Sequence, residues 1–553
     1  MKKLKNVLLL LLLLASTNSI ARSSFSQDSP RIVNIINFIR QIEPRDKNIT
    51  EQVLYETVHE QVKLLMKYNL QGTFLLQYDA LINPRYQALL KKEIERGSEV
   101  GGWWEITQPH VEAAGLTWRG RYPWDWHANV GFATGYTTEE REKLIDVYME
   151  KFKSIFGRYP SSIGSWFIDA HSLEYMYDKY GIIASCNCKD QYGTDGYTLW
   201  GGYWNQAYYP SRLNGYMPAQ TAKGQIPVPV FRMLGSDPIY QYDTGVGHTI
   251  QGVITLEPVY KNAGESEKWV RKFFKSIFED PCLGFNYTQV GQENSFTWNT
   301  MRKGLEMQMP ILASLQQEGK IRIETLETSG KWFKKKYPLN PPTSVTTLTD
   351  TYDNGQKTVW FNSRYYRANL LWENNTIRFR DIHLFDENLE SDYLKQAGIS
   401  NQCIYMTCPI IDGFLWSTPN DLAAIRIYTM DNSNHPKEII MDKMFVKVIG
   451  KKATEIICCT ASGKEYTFTM NEKQIEIKSN DQNQWMMRLN VAKGKIFPLN
   501  IANNQRIMKA QMKNINYGII CEKGIMKQVK DGVLFVPEKN KIVIDCSNQK
   551  ICD

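Results

Sequence analysis

Residues 32–336 show a regular alternation of two kinds of apolar pattern. Short apolar runs that are typical of buried strands alternate there with segments whose apolar residues recur at helical spacing. Parallel strands need crossover helices, and a series of such units forms a sheet covered by helices. The pattern therefore predicts an α/β fold, a β/α barrel of seven or eight strands.

The predicted elements can be assigned one by one. Strands are predicted at 33–39, 72–76, 99–104, 161–167, 182–186, 253–256, 285–290 and 321–323. Helices are predicted at 50–68, 86–96, 138–156, 265–279, 298–318 and 327–337. The segment 187–248 is rich in Gly, Tyr, Trp and Pro, and such a long irregular insertion is typical of a binding loop.

A change of texture follows Pro338, Pro341 and Pro342. Beyond these prolines the chain has short alternating runs, which predict strands at 358–361, 376–379, 444–448, 465–470, 474–478 and 542–545. We therefore predict a barrel domain over 22–340 and a mostly β, sandwich-like accessory domain over 341–553.

The N-terminus has the pattern of a secretory signal peptide. A basic start at 1–5 precedes the apolar run 7–15, and Ser19 and Ala21 suit the positions before a cleavage site. We expect cleavage after Ala21 and a periplasmic or extracellular protein. A membrane anchor is the alternative, although the run is short for a bilayer. No later stretch is long and apolar enough to predict an integral membrane segment in the mature chain.

Charge and aromatic content narrow the class of partner. The formal charge of +8 comes from dispersed Lys and Arg residues, so we expect no nucleic-acid partner. Aromatic residues make up 12% of the chain and cluster at 103–104, 124–126 and 203–204. Exposed aromatic faces stack on sugar rings, which favours an oligosaccharide or polysaccharide partner, while buried packing is the alternative. The oligomeric state stays open.

Ten cysteines leave the disulfide pattern open. No pair of CxxC motifs is present, so no structural zinc site is predicted. Cys521, Cys546 and Cys552 are the best candidates for pairing in an exported chain.

Three stretches resemble the glycoside hydrolase/deacetylase superfamily over about residues 32–337. The run 64–75 is similar to a "KYN-x-x-ATFF" passage, 97–101 resembles "G-x-E-[IV]-G", and 156–160 resembles "G-x-x-P". This superfamily holds the polysaccharide deacetylases and glycoside hydrolase families thirty-eight and fifty-seven. The resemblance implies a carbohydrate-active β/α barrel.

The metal ligands that the resemblance implies are not in the sequence. A metal-dependent deacetylase needs an Asp-Asp pair ending strand one and an H-x-x-x-H pair after strand three. Here strand one ends with Phe38-Ile39-Arg40, and the two histidine positions fall on Trp103 and Thr107. The His-x-Asp of family thirty-eight is also absent. We therefore expect neither a metal nor another cofactor.

Acidic residues follow the ends of several predicted strands, where barrel enzymes gather their active sites. Hydrolysis of a glycosidic bond without metal needs two carboxyl groups, about 5 Å apart for retention and farther apart for inversion. Family fifty-seven resemblance implies a nucleophile after strand four and an acid after strand seven, which points to Asp169 and Glu293. Glu105 is the third catalytic candidate. Asp169 could instead cap the helix that begins there.

Further residues near the same strand ends are predicted to bind substrate. Arg40 could hold Glu43 ionised or meet an acidic sugar, and Glu257 is a substitute acid. The predicted substrate-binding set is Arg40, Glu43, Trp103, Trp104, Trp126, His127, Trp166, His171 and Glu257.

The sequence therefore predicts a metal-independent glycoside hydrolase, with two alternatives. The first is a deacetylase with a rearranged metal site, for which His127, Asp125 and His171 are candidate ligands. The second is a noncatalytic glycan-binding protein built on the same barrel.

Overall fold

The structure, a computed structural model, describes residues 29–430, 435–482, 484–513, 515–530, 532–548 and 551. The predicted signal peptide at 1–21 lies outside these residues. Within the described chain, no helix combines the length and the apolar character needed to cross a membrane. Of the three cysteines that were candidates for pairing, Cys521 and Cys546 are free thiols in this part of the chain, and Cys552 lies outside it.

The N-terminal half alternates strands and helices. The strands are β1 (Arg31–Ile39), β2 (Thr73–Leu76), β3 (Glu99–Trp103), β4 (Ser162–Gly164), β5 (Ala184–Asn187), β6 (Gln191–Thr194), β7 (Tyr197–Trp200), β8 (Ala207–Tyr208), β9 (Pro210–Ser211), β10 (Asn214–Pro218), β11 (Val230–Arg232), β12 (Asn286–Val290) and β13 (Arg322–Glu324). The helices are α1 (Glu51–Tyr68), α2 (Tyr78–Ile82), α3 (Pro84–Glu95), α4 (Gln108–Ala113), α5 (Thr138–Phe156), α6 (Ala170–Tyr180), α7 (Tyr240–Asp243), α8 (Glu267–Glu279), α9 (Trp298–Gln317) and α10 (Leu326–Lys336).

Parallel pairing arranges these strands as a nearly closed barrel. The order is β12-β1-β2-β3-β4-β5-β11-β8, in which only β8 runs antiparallel to its neighbour, and β13 pairs with the first half of β1. The open side is narrow: the Leu234 amide donates to Gln289 Oε1 at 2.7 Å, and Phe231 packs on Tyr287. The predicted β/α barrel is therefore confirmed.

One predicted barrel strand is wrong. Residues 253–256 form no strand, and only Thr255 makes an isolated bridge to Ser236. The sixth barrel strand is instead β11, inside the segment 187–248 that was predicted to be irregular. β11 has only three residues and follows Pro229, so its sequence carries no strand-length apolar run.

Local signals explain where the helices begin. Thr137 caps α5 in a capping box with Glu140, and Thr50 caps α1 by accepting from the Val53 amide. Helix α8 buries one aromatic face, including Trp269 and Phe273, against the barrel core. These helices cover the outside of the sheet and leave its strand ends free to carry loops.

The C-terminal half is built from antiparallel sheets, as predicted. Its strands are β14 (Thr343–Thr347), β15 (Lys357–Asn362), β16 (Tyr366–Glu373), β17 (Thr376–Leu384), β18 (Cys403–Met406), β19 (Cys408–Asp412), β20 (Ala424–Met430), β21 (Pro436–Glu438), β22 (Lys443–Ile449), β23 (Ala453–Cys459), β24 (Glu465–Asn471), β25 (Gln474–Ser479), β26 (Trp485–Asn490), β27 (Asn500–Ile501), β28 (Ile507–Met512), β29 (Ile515–Lys523), β30 (Ile525–Val529), β31 (Gly532–Val536) and β32 (Lys541–Asp545). One sheet follows the order β14-β15-β16-β17-β20-β26-β31-β30, and the other β22-β23-β24-β25-β32-β29-β28-β27. Phe379 packs against Phe468 between them.

The two halves share a buried interface. Trp204 of the barrel stacks on Trp360, with ring centroids 4.0 Å apart. Strand β18 pairs in parallel with β7, which lies in the insertion after β5. Arg367 bridges Asp190 of the insertion and Asp381 of the C-terminal sheet. The C-terminal half therefore supports the insertion that borders the barrel mouth.

Candidate functional site

A cavity of about 130 Å³ lies at the carboxyl ends of the barrel strands. Its walls come from the segments that follow β1, β3, β4, β5, β11 and β12, and from the segment around Thr255. The lining residues used below are Arg40, Arg45, Trp124, Trp126, Trp166, Lys189, Tyr197, Glu257, Tyr260 and Glu293.

Arg40, the first residue after β1, organises the acidic side of this cavity. Its Nε and Nη2 donate to the two oxygens of Glu105 at 3.0 and 2.8 Å, and Nη1 donates to Glu293 Oε1 at 2.9 Å. Nη1 also lies 3.8 Å from Glu43 Oε2, and the guanidinium carbon lies 4.1 Å from the centre of the Trp124 ring. One buried cation therefore holds three carboxylates that are far apart in the sequence.

Glu293 is the only member of this trio that lines the cavity. Oε1 accepts from Arg40 and from the Ser295 hydroxyl, while the buried Oε2 has no hydrogen-bond partner among the described residues. Burial raises the pKa of Glu293 against the opposing charge of Arg40. The side chain thus combines a fixed orientation with one uncommitted oxygen.

Glu257 is the second carboxyl group on the cavity wall. Its Oε1 accepts from Gln292 Nε2 at 2.9 Å and its Oε2 from the Thr255 hydroxyl at 2.7 Å. Gln292 also accepts from the Glu293 amide through Oε1 at 2.8 Å, so one side chain connects the two acids. Burial raises the pKa of Glu257.

Tyr260 and Lys189 complete the polar wall. The charge of Glu257, then burial, then the charge of Glu293 raise the pKa of Tyr260, so this phenol stays protonated near both acids. Burial lowers the pKa of Lys189, whose Nζ donates to the Asp190 carbonyl at 3.1 Å. The cavity therefore offers two buried acids, a phenol and an amine.

Aromatic rings form the other walls. Trp124 is buried beneath Arg40, whereas Trp126 and Trp166 are half-buried and face the cavity. The Tyr197 hydroxyl donates to the Trp126 carbonyl, which holds the loop that contains Trp124 and Trp126 against the insertion after β5. Half-exposed rings beside paired acids are typical of sugar sites.

Several predicted site residues lie elsewhere. Trp103 stacks on Phe38 inside the barrel and Trp104 packs in the core against His110, so neither ring lines the cavity. His171 contacts Glu142 and the His127 amide donates to Asp125, with neither histidine on the cavity wall. Trp103 and Trp104 are consecutive residues at the end of a strand, so their side chains point into different layers of the core.

Asp169 has the capping role that the sequence left open. It is the N-cap of α6, where Oδ1 accepts from the Ser172 amide at 2.9 Å and Oδ2 from the Ser172 hydroxyl at 2.7 Å. Arg141 also donates to Oδ1 at 3.0 Å, and both side chains are fully buried. Asp169 does not line the cavity.

Glu43 and Glu105 support the cavity from behind. Arg45 donates to both oxygens of Glu43, and these contacts with the charge of Arg40 lower the pKa of Glu43 despite its burial. Glu105 accepts hydrogen bonds from the side chains of Arg40 and Gln77. Both acids are occupied by fixed donors and do not line the cavity wall.

The residues at the deacetylase ligand positions do not fit a divalent cation. The rings of Phe38 and Trp103 stack on each other with centroids 4.2 Å apart. Thr107 is buried and directly precedes α4. Arg40 fills the centre of the acidic cluster with its own positive charge. Across the described residues, no three His, Cys, Asp or Glu side chains are grouped closely enough to hold a metal ion.

Sequence reasoning missed Lys189, Tyr260, Gln292 and Tyr197. Lys189 and Tyr197 lie in the segment 187–248 that was predicted to be irregular, and Tyr260 follows the run 253–256, which was predicted as a strand but forms none. The Gln292-Glu293 pair directly after β12 was the one available signal, because adjacent polar residues after a buried strand commonly lie at the active face.

Comparisons with known proteins bear on the fold. No protein-family model matches the sequence, and no curated protein matches it. A protein described as a glycoside hydrolase/deacetylase from Parabacteroides distasonis aligns with a TM-score of 0.52 and 17% identity, over 70% of this chain and 91% of that chain.

Two more distant solved structures also match. A protein described as a polysaccharide deacetylase from Mycobacterium smegmatis aligns at a TM-score of 0.35 and 12% identity, over 57% of this chain and 93% of that chain. A 4-alpha-glucanotransferase from Thermococcus litoralis aligns at 0.31 and 9%, over 94% and 99%. The Parabacteroides structure and the nearly closed parallel barrel together show that this chain shares the β/α barrel fold of that protein, the fold that the sequence predicted.

Proposed function

We propose that the protein is an exported, metal-independent glycoside hydrolase that uses Glu257 and Glu293 as its catalytic pair. The observation that carries the proposal is the presence of two buried carboxyl groups with raised pKa values on the wall of one aromatic-lined cavity. The substrate is an oligosaccharide or polysaccharide.

The surroundings of the two acids support different roles for them. Arg40 Nη1 lies 2.9 Å from Glu293 and stabilises its anion, so Glu293 acts as nucleophile or general base through the uncommitted Oε2. No guanidinium of the described residues pairs with Glu257, and burial favours its neutral form, so Glu257 donates a proton to the leaving oxygen. The bond between the anomeric carbon and that oxygen breaks, and water finally supplies hydroxyl to the carbon and a proton to the protein.

This pair departs from the one that the sequence predicted. Asp169 is held by Ser172 and Arg141 away from the cavity, and Glu105 is committed to Arg40. Glu257, predicted as a substitute acid, takes the vacant role. The family resemblance placed the acid after strand seven, whereas Arg40 favours the ionised form of Glu293 in that position.

The assignment predicts different behaviour for the two amide variants. Glu293→Gln abolishes turnover of every substrate, because no carboxylate remains to stabilise or attack the anomeric carbon. Glu257→Gln also stops hydrolysis of natural glycosides but retains cleavage of aryl glycosides, whose leaving groups need no proton. Arg158→Gln, an exposed change elsewhere in the barrel, is the control and leaves both activities unchanged.

The assay follows reducing ends and acetate together on glycans offered to the purified protein. Reducing ends without acetate support the hydrolase. Acetate release would replace it with a deacetylase, and binding without either product would replace it with a glycan-binding protein. Full aryl-glycoside activity in Glu293→Gln would reject the role given to Glu293.

A further inference from the structure

Three arginines lie directly opposite one another on neighbouring strands of the C-terminal sheet. Arg378 of β17 pairs with Arg426 of β20, and Arg426 pairs with Arg488 of β26. Directly opposed residues of antiparallel strands project from the same face, and like charges in this relation are destabilising. A row of three guanidinium groups therefore needs an explanation in terms of negative partners.

Acidic partners become fewer and more distant along this row. Arg378 Nη2 lies 2.9 Å from Asp243 and 3.4 Å from Glu373. Arg426 Nη1 donates to the Asn490 side chain and the Leu422 carbonyl, and its nearest carboxylate, Glu438, is 3.7 Å away.

Arg488 stands at the end of the row. No ion pair links it to an acid in the described part of the chain, and its buried Nε has no hydrogen-bond partner there. Burial and the charge of Arg378 lower the pKa of Arg426, which shows how crowded with positive charge the row is. The last two arginines therefore have unused donor capacity.

The end of the row that holds Arg488 opens into a groove. A surface cavity of about 780 Å³ is lined by Arg426, Arg488, Lys493 and Lys530 and by the acidic residues Asp421 and Glu438. Arg378 is not part of this wall, and the groove shares no residue with the barrel cavity. Four cationic side chains against two acids leave the groove net positive.

We propose that this groove, defined by Arg426, Arg488, Lys493 and Lys530, is a binding site for the oxyanion groups of an acidic glycan. Two adjacent guanidinium planes match the geometry of a carboxylate or sulfate, which accepts paired hydrogen bonds from each fork. The arginine row by itself is the argument for an oxyanion as the bound group. The choice of a glycan as its carrier rests on the proposed function.

Calorimetric titration of the full chain tests the site. The ligands are an oligogalacturonate, its neutral methyl ester, a sulfated oligosaccharide and inorganic sulfate. We expect the charged oligosaccharides to bind, the methyl ester to bind at least about 10-fold more weakly, and affinity to fall as salt rises. The relative affinities of the uronate and the sulfated sugar identify the preferred oxyanion, and binding of free sulfate alone would overturn the glycan carrier.

Variants connect the binding to the groove. Arg488→Gln and Arg426→Gln should each weaken oligogalacturonate binding about 10-fold or more, while Arg158→Gln makes the same charge change in the barrel and should leave binding unchanged. Binding that survives Arg488→Gln, or absence of binding by every acidic ligand, overturns the proposal.

Two further measurements separate this site from folding and from catalysis. Because Arg488 faces a like charge and has no acidic partner among the described residues, Arg488→Gln should unfold at the same temperature as the parent or higher when no ligand is present. A lower melting temperature would show that Arg488 is structural and overturn the proposal. Glu293→Gln, which tests hydrolysis, should bind oligogalacturonate normally, so the two proposals fail independently.

Discussion

Replacing Arg40 with methionine should destabilise the protein, because it removes the positive charge of the acidic cluster and keeps only an unbranched apolar side chain. The guanidinium makes three charge-assisted hydrogen bonds to Glu105 and Glu293, and the side chains of both acids are at most 4% exposed. Removing one partner of a buried ion pair costs about 3–5 kcal/mol, because the remaining charge is left without compensation. For a chain of this length the loss corresponds to a decrease in melting temperature of about 3–5 °C.

The effect should depend on pH with a definite sign. Without Arg40, the pKa values of the buried carboxyl groups rise above the unfolded value of about 4.3. A carboxyl group whose folded pKa is raised destabilises the fold at high pH, and that cost disappears as protonation occurs at low pH. The stability deficit of Arg40→Met should therefore be greatest near neutral pH and shrink as the pH falls toward 5.

Urea unfolding of the parent and variant across this pH range provides the measurement. Arg45→Met is the matched control, because Arg45 also pairs with Glu43 but its side chain is 36% exposed, and its loss should cost less than about 1 kcal/mol. Combining Arg40→Met with Glu105→Gln should recover part of the loss, since the second change removes a stranded charge. A deficit below about 1 kcal/mol, or one that does not change with pH, would refute the reasoning about Arg40.

Three other predictions follow from the site. Asp169→Asn keeps the α6 cap but leaves the buried Arg141 charge without its partner. Thermal unfolding should therefore show a loss of about 3 kcal/mol in the free energy of unfolding, while kcat of the folded protein stays unchanged. An inactive variant would return Asp169 to the catalytic pair. Because Glu257 must be protonated to act as the acid and burial raises its pKa, kcat should fall as pH rises through that pKa, and Glu257→Gln should lose this alkaline limb in aryl-glycoside assays. Dialysis against a chelator should leave turnover unchanged, because Arg40 carries the positive charge of the cluster; loss and recovery of turnover with added divalent metal would contradict the metal-independent mechanism.

The sequence predicted the barrel because its strongest signals are local. β1, α1 and α5 are long periodic segments with clear caps, and all three lie where predicted. β11 was missed because tertiary pairing with β5, and not its three-residue sequence, makes it a strand. The run 253–256 has strand composition, but its single bridge at Thr255 leaves it as a loop.

The site was predicted in part for the same reason. Residues that directly follow correctly assigned strands, such as Arg40, Glu105 and Glu293, do come together at the barrel mouth. Asp169 also follows its strand, yet its side chain turns to the α6 amide and Arg141. The end of a strand determines where the backbone of the next residue lies. The direction of its side chain depends on partners such as Arg141 that are distant in the sequence.

The place of Arg40 explains how a barrel of this fold can gather acids at its mouth with a positive charge supplied by the chain itself. Glu43, Glu105 and Glu293 would repel one another in a buried cluster, and a cation must offset that repulsion for the fold to be stable. Unlike a bound metal ion, the guanidinium of Arg40 is part of the chain. It cannot be exchanged, and it cannot coordinate a substrate oxygen. Its contribution is therefore limited to orienting Glu293 and opposing the rise that burial causes in its pKa, which leaves proton donation to Glu257, the acid that Arg40 does not contact.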